Sequence, residues 1–193
     1  RIVDELKNQG LYDNTLIIYS SDNGPVMDDG YADQAEDLRG EHDPSGGFRG
    51  GKYSAYEAGT RVPMIVTYPN GMVKPGESDA LISHIDLYKT LAEFVGVELG
   101  PNEAIDSKNI LPALLDSSVT ARNEMLEESF TLSLRSGNWK YIEPFSGITP
   151  DWLANKTAIE NGLTTEPQLY DISNDKKELV NLADKHPDKV AEL

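Results

Sequence analysis

Two short runs, Leu16-Ile17-Ile18-Tyr19 and Met64-Ile65-Val66, are apolar with no polar residue alternating through them. A strand with one wet face alternates, whereas a strand covered on both faces reads as a continuous apolar run. The runs therefore predict two covered strands, and covering a sheet takes helices. Helical patterns stand nearby. In "RIVDELKNQG", Ile2, Val3 and Leu6 share helical spacing and Gly10 suits a C-terminal cap. This pattern has no N-cap before it, so the chain reads as opening inside a helix, like a cut piece. In "ISHIDLYKTLAEFVG", Ile85, Tyr88, Leu91, Ala92 and Val95 form one stripe that Gly96 ends.

After about residue 121 the pattern changes. "EESFTLSLRSGNWKYIEPF" predicts two short strands around Ser136-Gly137-Asn138, and Gln168–Asp171 predicts a third. A helix begins at "HPDKVAEL". The organisation expected is an α/β part over 1–120 and a small antiparallel α+β subdomain over 121–193.

With 193 residues, 38% apolar and 26% charged, the chain can bury a core. Its net charge of −16 argues against binding nucleic acid or an anionic membrane, both of which need clustered Lys and Arg. No stretch approaches ~20 apolar residues, so no transmembrane helix is expected. No signal peptide pattern is visible. Cysteine is absent, which excludes disulfides and a cysteine nucleophile.

The first run ends in "SSDNGP", Ser20 to Pro25. Asp22 and Asn23 offer two hard oxygens of the kind Ca²⁺ takes, and ligands in α/β sheets bind beyond strand ends. Asp-Asn-Gly is equally good turn chemistry, and two residues cannot supply ~6–8 oxygens. Residues 24–51 form a long polar loop, of a length that is usually either functional or disordered. In "FRGGKYSAYEAGTRVP", Lys52 follows two glycines, an arrangement suited to an anion or to a solvated loop. No Walker pattern is present. Among the histidines, His84 and His186 read as structural, and His42 is a candidate substrate contact in the long loop.

Together "LYDNTLIIYSSDNG", "FRGGKYSAYEAGTRVPMIVTYP", "SHIDLYKTLAEFVG" and "QLYDISNDKKELVNLA" resemble, in order, segments of the sulfatase family of the alkaline-phosphatase-like superfamily. The resemblance covers nearly the whole chain. It implies part of a mixed or parallel sheet with flanking helices. It also implies that Asp22 and Asn23 are metal ligands for Ca²⁺, with the turn aiming them. Lys52 falls on the lysine that binds the sulfate group and serves catalysis. Glu57 and Arg61 match a segment where scaffolding is at least as fitting a role as substrate contact.

The family's Cys-x-Pro-x-Arg or Ser-x-Pro-x-Arg motif, source of the formylglycine nucleophile, is not in this chain. The resemblance therefore implies the C-terminal portion of a sulfatase whose parent cleaves a sulfated small molecule or glycan. Such a piece is expected to be inactive alone, to bind Ca²⁺ weakly or not at all, and either to self-associate through its open sheet or to have the gap closed by the long loop. Two alternatives are a non-catalytic interaction domain and a phosphoester hydrolase of the same superfamily. Family habit places the parent in the periplasm or outside the cell. The acidic run 28–43, with seven acids and one arginine, suggests a substrate with one sulfate rather than many.

Overall fold

The computed structural model describes residues 1–71, 73–154 and 160–193. Its helices are α1 (Ile2–Asn8), α2 (Ala35–Leu38), α3 (Glu57–Thr60), α4 (Asp86–Val95), α5 (Leu111–Leu115), α6 (Asp151–Ala154) and α7 (Pro187–Glu192). Its strands are β1 (Ile17–Ser20), β2 (Met64–Thr67), β3 (Glu124–Ser129), β4 (Thr131–Ser136), β5 (Trp139–Ile142) and β6 (Gln168–Asp171). The α/β class is as expected. The chain forms two compact units, one of Arg1–Ser20 with Met64–Met125 and one of Ser21–Pro63 with Leu126–Leu193.

In the first unit, β1 and β2 pair antiparallel, with Tyr19 opposite Ile65. The two strands are joined through 43 residues (21–63), a length that leaves either strand direction open. Both predicted runs are strands, but Tyr19 is 62% and Ile65 61% exposed, so one face of the pair is uncovered in this chain. Helix α4 ends at Gly96, whose φ of +74° lets the Val97 N–H turn back onto the Ala92 carbonyl at 2.8 Å.

The buried side of α4 is polar, not the predicted apolar stripe. Asp86 and Thr90 are fully buried, while Ile85, Tyr88, Leu91 and Val95 are exposed. Two nitrogens of Arg122 donate to the two oxygens of Asp86 at 2.7 and 2.5 Å, and the N–H groups of Ser83 and Lys108 donate to the same carboxylate. Thr90 Oγ1 accepts the Ile110 N–H at 3.0 Å. Burial pushes the Asp86 pKa up, but the Arg122 hydrogen bonds and the two backbone N–H groups outweigh it and hold the carboxyl below its ordinary value.

The second unit is built on a sheet of order β3-β4-β5-β6. β4 and β5 pair antiparallel around Gly137, and β6 pairs antiparallel with β5 so that Lys140 lies opposite Tyr170. Its apolar core is Ala55, Tyr56, Ile142, Tyr170 and Ile172, with Phe48 packed against it. The segment before and within α3, whose sequence reads as a short helix, is therefore core material. No helix of the described residues is long and apolar enough to cross a membrane.

Candidate anion and metal site

Two segments of the second unit are bound backbone to backbone. The Gly24 N–H donates to the Gly59 carbonyl at 3.0 Å, and the Lys52 N–H donates to the Pro25 carbonyl at 2.9 Å. Such approach needs missing side chains. A Cβ on Gly24 would stand 1.7 Å from the Ala58 carbonyl oxygen, and one on Gly51 would stand 2.7 Å from that of Pro25. The glycines that made these stretches look like plain turns are what lets the loop of Asp22 and Asn23 dock on the segment of Lys52.

The polar tips of these segments are left open. The Asn23 amide nitrogen donates to the Gly24 carbonyl at 2.9 Å, so its Oδ1 is free to accept, and the Ser21 hydroxyl steadies the Asn23 carbonyl at 3.1 Å. Among the described residues, the Asp22 carboxylate has no hydrogen-bond or ion-pair partner. The same holds for the Lys52 ammonium, which lies 5.1 Å from the Tyr53 ring centroid and pairs with no carboxylate. Tyr53 takes a positive φ of 74°, rare for a bulky residue, and its ring packs edge-on against Trp152 at 4.8 Å. An uncommitted carboxylate and an uncommitted amide oxygen suit a hard cation, and one uncommitted ammonium suits an anion. Among the described residues, no group of three or more His, Asp or Glu side chains could hold a metal by itself.

His42 lies exposed in the long loop, and among the described residues its ring has no hydrogen-bond partner. His84 and His186 have structural contacts. The Ser20 hydroxyl and His84 Nε2 lie 2.8 Å apart, and the His186 ring packs 5.4 Å from Trp139.

Beneath the docked segments lies a buried charge network that no sequence motif announced beyond Glu57 and Arg61. Glu57 is buried and accepts from Arg61 Nη2 at 2.6 Å, from Arg135 Nη1, and from Lys140 Nζ at 3.4 Å. Lys140, itself 0% exposed, also donates to Glu127 at 2.7 Å, to which Ser133 adds a hydroxyl at 3.2 Å. The Glu57 N–H donates to Glu178 Oε2 at 2.7 Å, while Glu178 Oε1 is buried without a partner among the described residues. Burial pushes the Glu57 carboxyl up, but Lys140, Arg135 and Arg61 pull it below its ordinary value. Burial presses the Lys140 ammonium down, but Glu127, Glu57 and Glu178 raise it above its ordinary value. For Glu178 burial wins over Lys140 and the Glu57 N–H, and its pKa rises to about 7. Glu57 thus holds its own segment against the sheet; its carboxylate is spent on cations of the protein.

Known proteins align along this geometry. The family model described as Sulfatase matches residues 1–97. An N-acetylgalactosamine-6-O-sulfatase of Bacteroides thetaiotaomicron is 44% identical over 194 residues, spanning 100% of this chain and 37% of that protein. Arylsulfatase A of Bos taurus is 32% identical over 91% of this chain and 34% of its own length. A solved structure from work on the metabolism of multiple glycosaminoglycans by Bacteroides thetaiotaomicron superposes with a TM-score of 0.91 at 44% identity, covering 100% of this chain and 40% of that one. A sulfatase structure from Pseudoalteromonas sp. superposes with a TM-score of 0.72 at 26% identity, covering 99% and 37%. The chain thus spans well under half the length of the relatives it matches.

Proposed function

The chain belongs to the sulfatase family, and on that premise we propose that the full-length protein hydrolyses sulfate esters of a sulfated sugar, this chain supplying the groups that hold the sulfate. The carrying observation is the docking of the Asp22-Asn23 loop onto the Lys52 segment, with an open carboxylate, an open amide oxygen and an open ammonium on the joined backbone. Asp22 and Asn23 would hold Ca²⁺ as two of its ~6–8 oxygen donors, the others lying outside this chain. When bound, the ion supplies Lewis-acid polarisation of the sulfate oxygens and lowers the pKa of the nucleophile. The nucleophile, a formylglycine by family resemblance, also lies outside this chain.

Lys52 does work that this chain can support alone. Its ammonium sits beside an aromatic ring instead of a carboxylate, so its charge is available to a sulfate oxygen. Charge grows on those oxygens and on the leaving oxygen as the S–O bond stretches. A cation already in place stabilises that state more than the ground state. Glu57, by contrast, acts by keeping the segment that carries Lys52 pinned to the sheet. A sulfated amino sugar is the proposed substrate, supported by the relative that is an N-acetylgalactosamine-6-O-sulfatase. A further structural neighbour holds a sulfated D-glucosamine.

Lys52→Ala in the full-length protein tests the reading. Turnover of N-acetylgalactosamine 6-sulfate is expected to fall by about 10²–10³, the usual cost of removing one transition-state charge contact. Near-unchanged kcat and KM in the variant would overturn the role of Lys52. The 193-residue chain alone is expected to show no turnover.

A further inference from the structure

A cavity of about 280 Å³ opens in the second unit, directly beside the docked loops. Pro25, whose carbonyl holds the Lys52 N–H, lines it together with Arg39, Phe48, Arg49 and Lys177. Two acids, Asp43 and Glu160, line it too, but both are committed. Asp43 accepts the Ser45 N–H at 2.9 Å, the Ser45 hydroxyl at 2.6 Å and the Gly47 N–H at 3.0 Å, and these bonds hold its carboxyl below its ordinary value, with Lys177 adding to the effect. Glu160 is paired with Arg49.

Arg39 and Lys177 make no ion pair among the described residues. Lys176 and Arg61 stand over the Phe48 ring at 5.6 and 4.4 Å from its centroid. In a chain of net charge −16 with 17 Lys and Arg, the lining of this cavity gathers Arg39, Arg49 and Lys177. Arg39 itself comes from the acidic run 28–43, so the fold turns the one cation of that run to the cavity.

We propose that this cavity is a second anion subsite, one sugar ring away from the scissile sulfate, in which Arg39 and Lys177 receive a carboxylate or sulfate carried by the neighbouring sugar. The inference rests on the sulfatase reading and deepens it from a single sulfated sugar to a polyanionic glycan. The volume is near the small end of ligand pockets, which fits one ring and not a long chain segment. Apolar Pro25 and Phe48 give the ring a surface, and Arg39 and Lys177, neither held in an ion pair among the described residues, give its charge a partner. Local cations within a Debye length of ~8 Å decide what an anion meets there, whatever the net charge of the chain.

The test uses the full-length protein with Arg39→Gln, Lys177→Gln and the double variant. Two substrates are compared: N-acetylgalactosamine 6-sulfate, and a disaccharide joining that sugar to a uronic acid. Each single change is expected to raise KM for the disaccharide about 10-fold, as expected for a lost charged hydrogen bond, and to leave KM for the monosaccharide within about twofold. Arg39→Lys and Lys177→Arg should restore most of the loss. Equal effects on both substrates, or no effect on either, would overturn the subsite. Calorimetric binding of the unsulfated disaccharide, and of a disaccharide with a second sulfate in place of the carboxylate, reads the subsite without turnover. At least one of these ligands should bind the wild type at least 10-fold tighter than the double variant, and which one identifies the anion. Binding of both ligands by the double variant within about twofold of the wild type, or no binding by the wild type, refutes the proposal. Failure of the wild type to cleave either sulfate ester strikes the sulfatase reading instead.

Discussion

Gly24 has no room for even a methyl group, because the Ala58 carbonyl oxygen would lie 1.7 Å from it. Gly24→Ala is therefore expected to cost about 1–3 kcal/mol, or more if the loop cannot shift. Urea denaturation of the full-length protein measures the loss, and an unchanged midpoint would mean that the loop is not docked on residues 58–59. Glu178 makes a different prediction, one of pH. Its carboxyl is raised to about 7 from an ordinary 4.5, so the folded state holds a proton that the unfolded state has released. Its contribution to stability is complete below pH 4.5 and is lost as pH climbs through about 7. A shift of that size corresponds to a loss on the order of 3 kcal/mol. Glu57, whose carboxyl is depressed, acts in the opposite sense and only at pH below its ordinary value, so the window between belongs to Glu178. Glu178→Gln should flatten the fall in Tm between pH 5 and 7.5 and raise Tm at pH 7.5. A variant as pH-sensitive as the wild type in that window would refute the assignment.

At the scale of elements, polar residues decide how α4, β4 and β5 are seated. β4 buries Thr131, Ser133 and Arg135, which a pattern-based reading would turn to solvent, and leaves Leu132 exposed. The reversal follows from Glu57, Glu127 and Glu178, whose buried carboxylates need cations and hydroxyls across from them. Helix α4 follows the same logic through Asp86 and Arg122. Arg122→Ala would strand a fully buried carboxylate, and a loss of about 3–5 kcal/mol is expected from breaking such a pair by one side. Replacing Asp86 and Arg122 together by Asn and Met should cost less than Arg122→Ala alone, and a larger loss would show that the packing of these chains matters more than their charge. The helix was legible in "DLYKTLAEFVG", where the periodicity and Gly96 set its span. Its buried side was not, because a sequence does not say which stripe finds a partner within this chain.

At the scale of the whole chain, Tyr19 and Ile65 on the paired strands, Ile85 just before α4, and Tyr88 and Val95 on α4 remain open to water. Expressed alone, the chain is expected to self-associate and to bind a hydrophobic dye, because exposed apolar faces and strand edges seek cover. A monodisperse 21.3 kDa species without dye binding would contradict this. What the sequence determined by itself is local. Apolar runs without alternation made β1 and β2, Gly137 made the β4–β5 turn, and the glycines beside Asp22 and Lys52 left backbone bare for close contact. Those signals are legible because each depends on neighbours within a few residues. Only the tertiary structure brought Pro25 to Lys52, gathered Arg39 and Lys177 around one cavity, and buried Lys140 between Glu57 and Glu127. The reason is physical: a charge acquires its role from whatever lies within a few ångströms, and in a folded chain those groups come from positions as much as 138 residues apart, as Arg39 and Lys177 are.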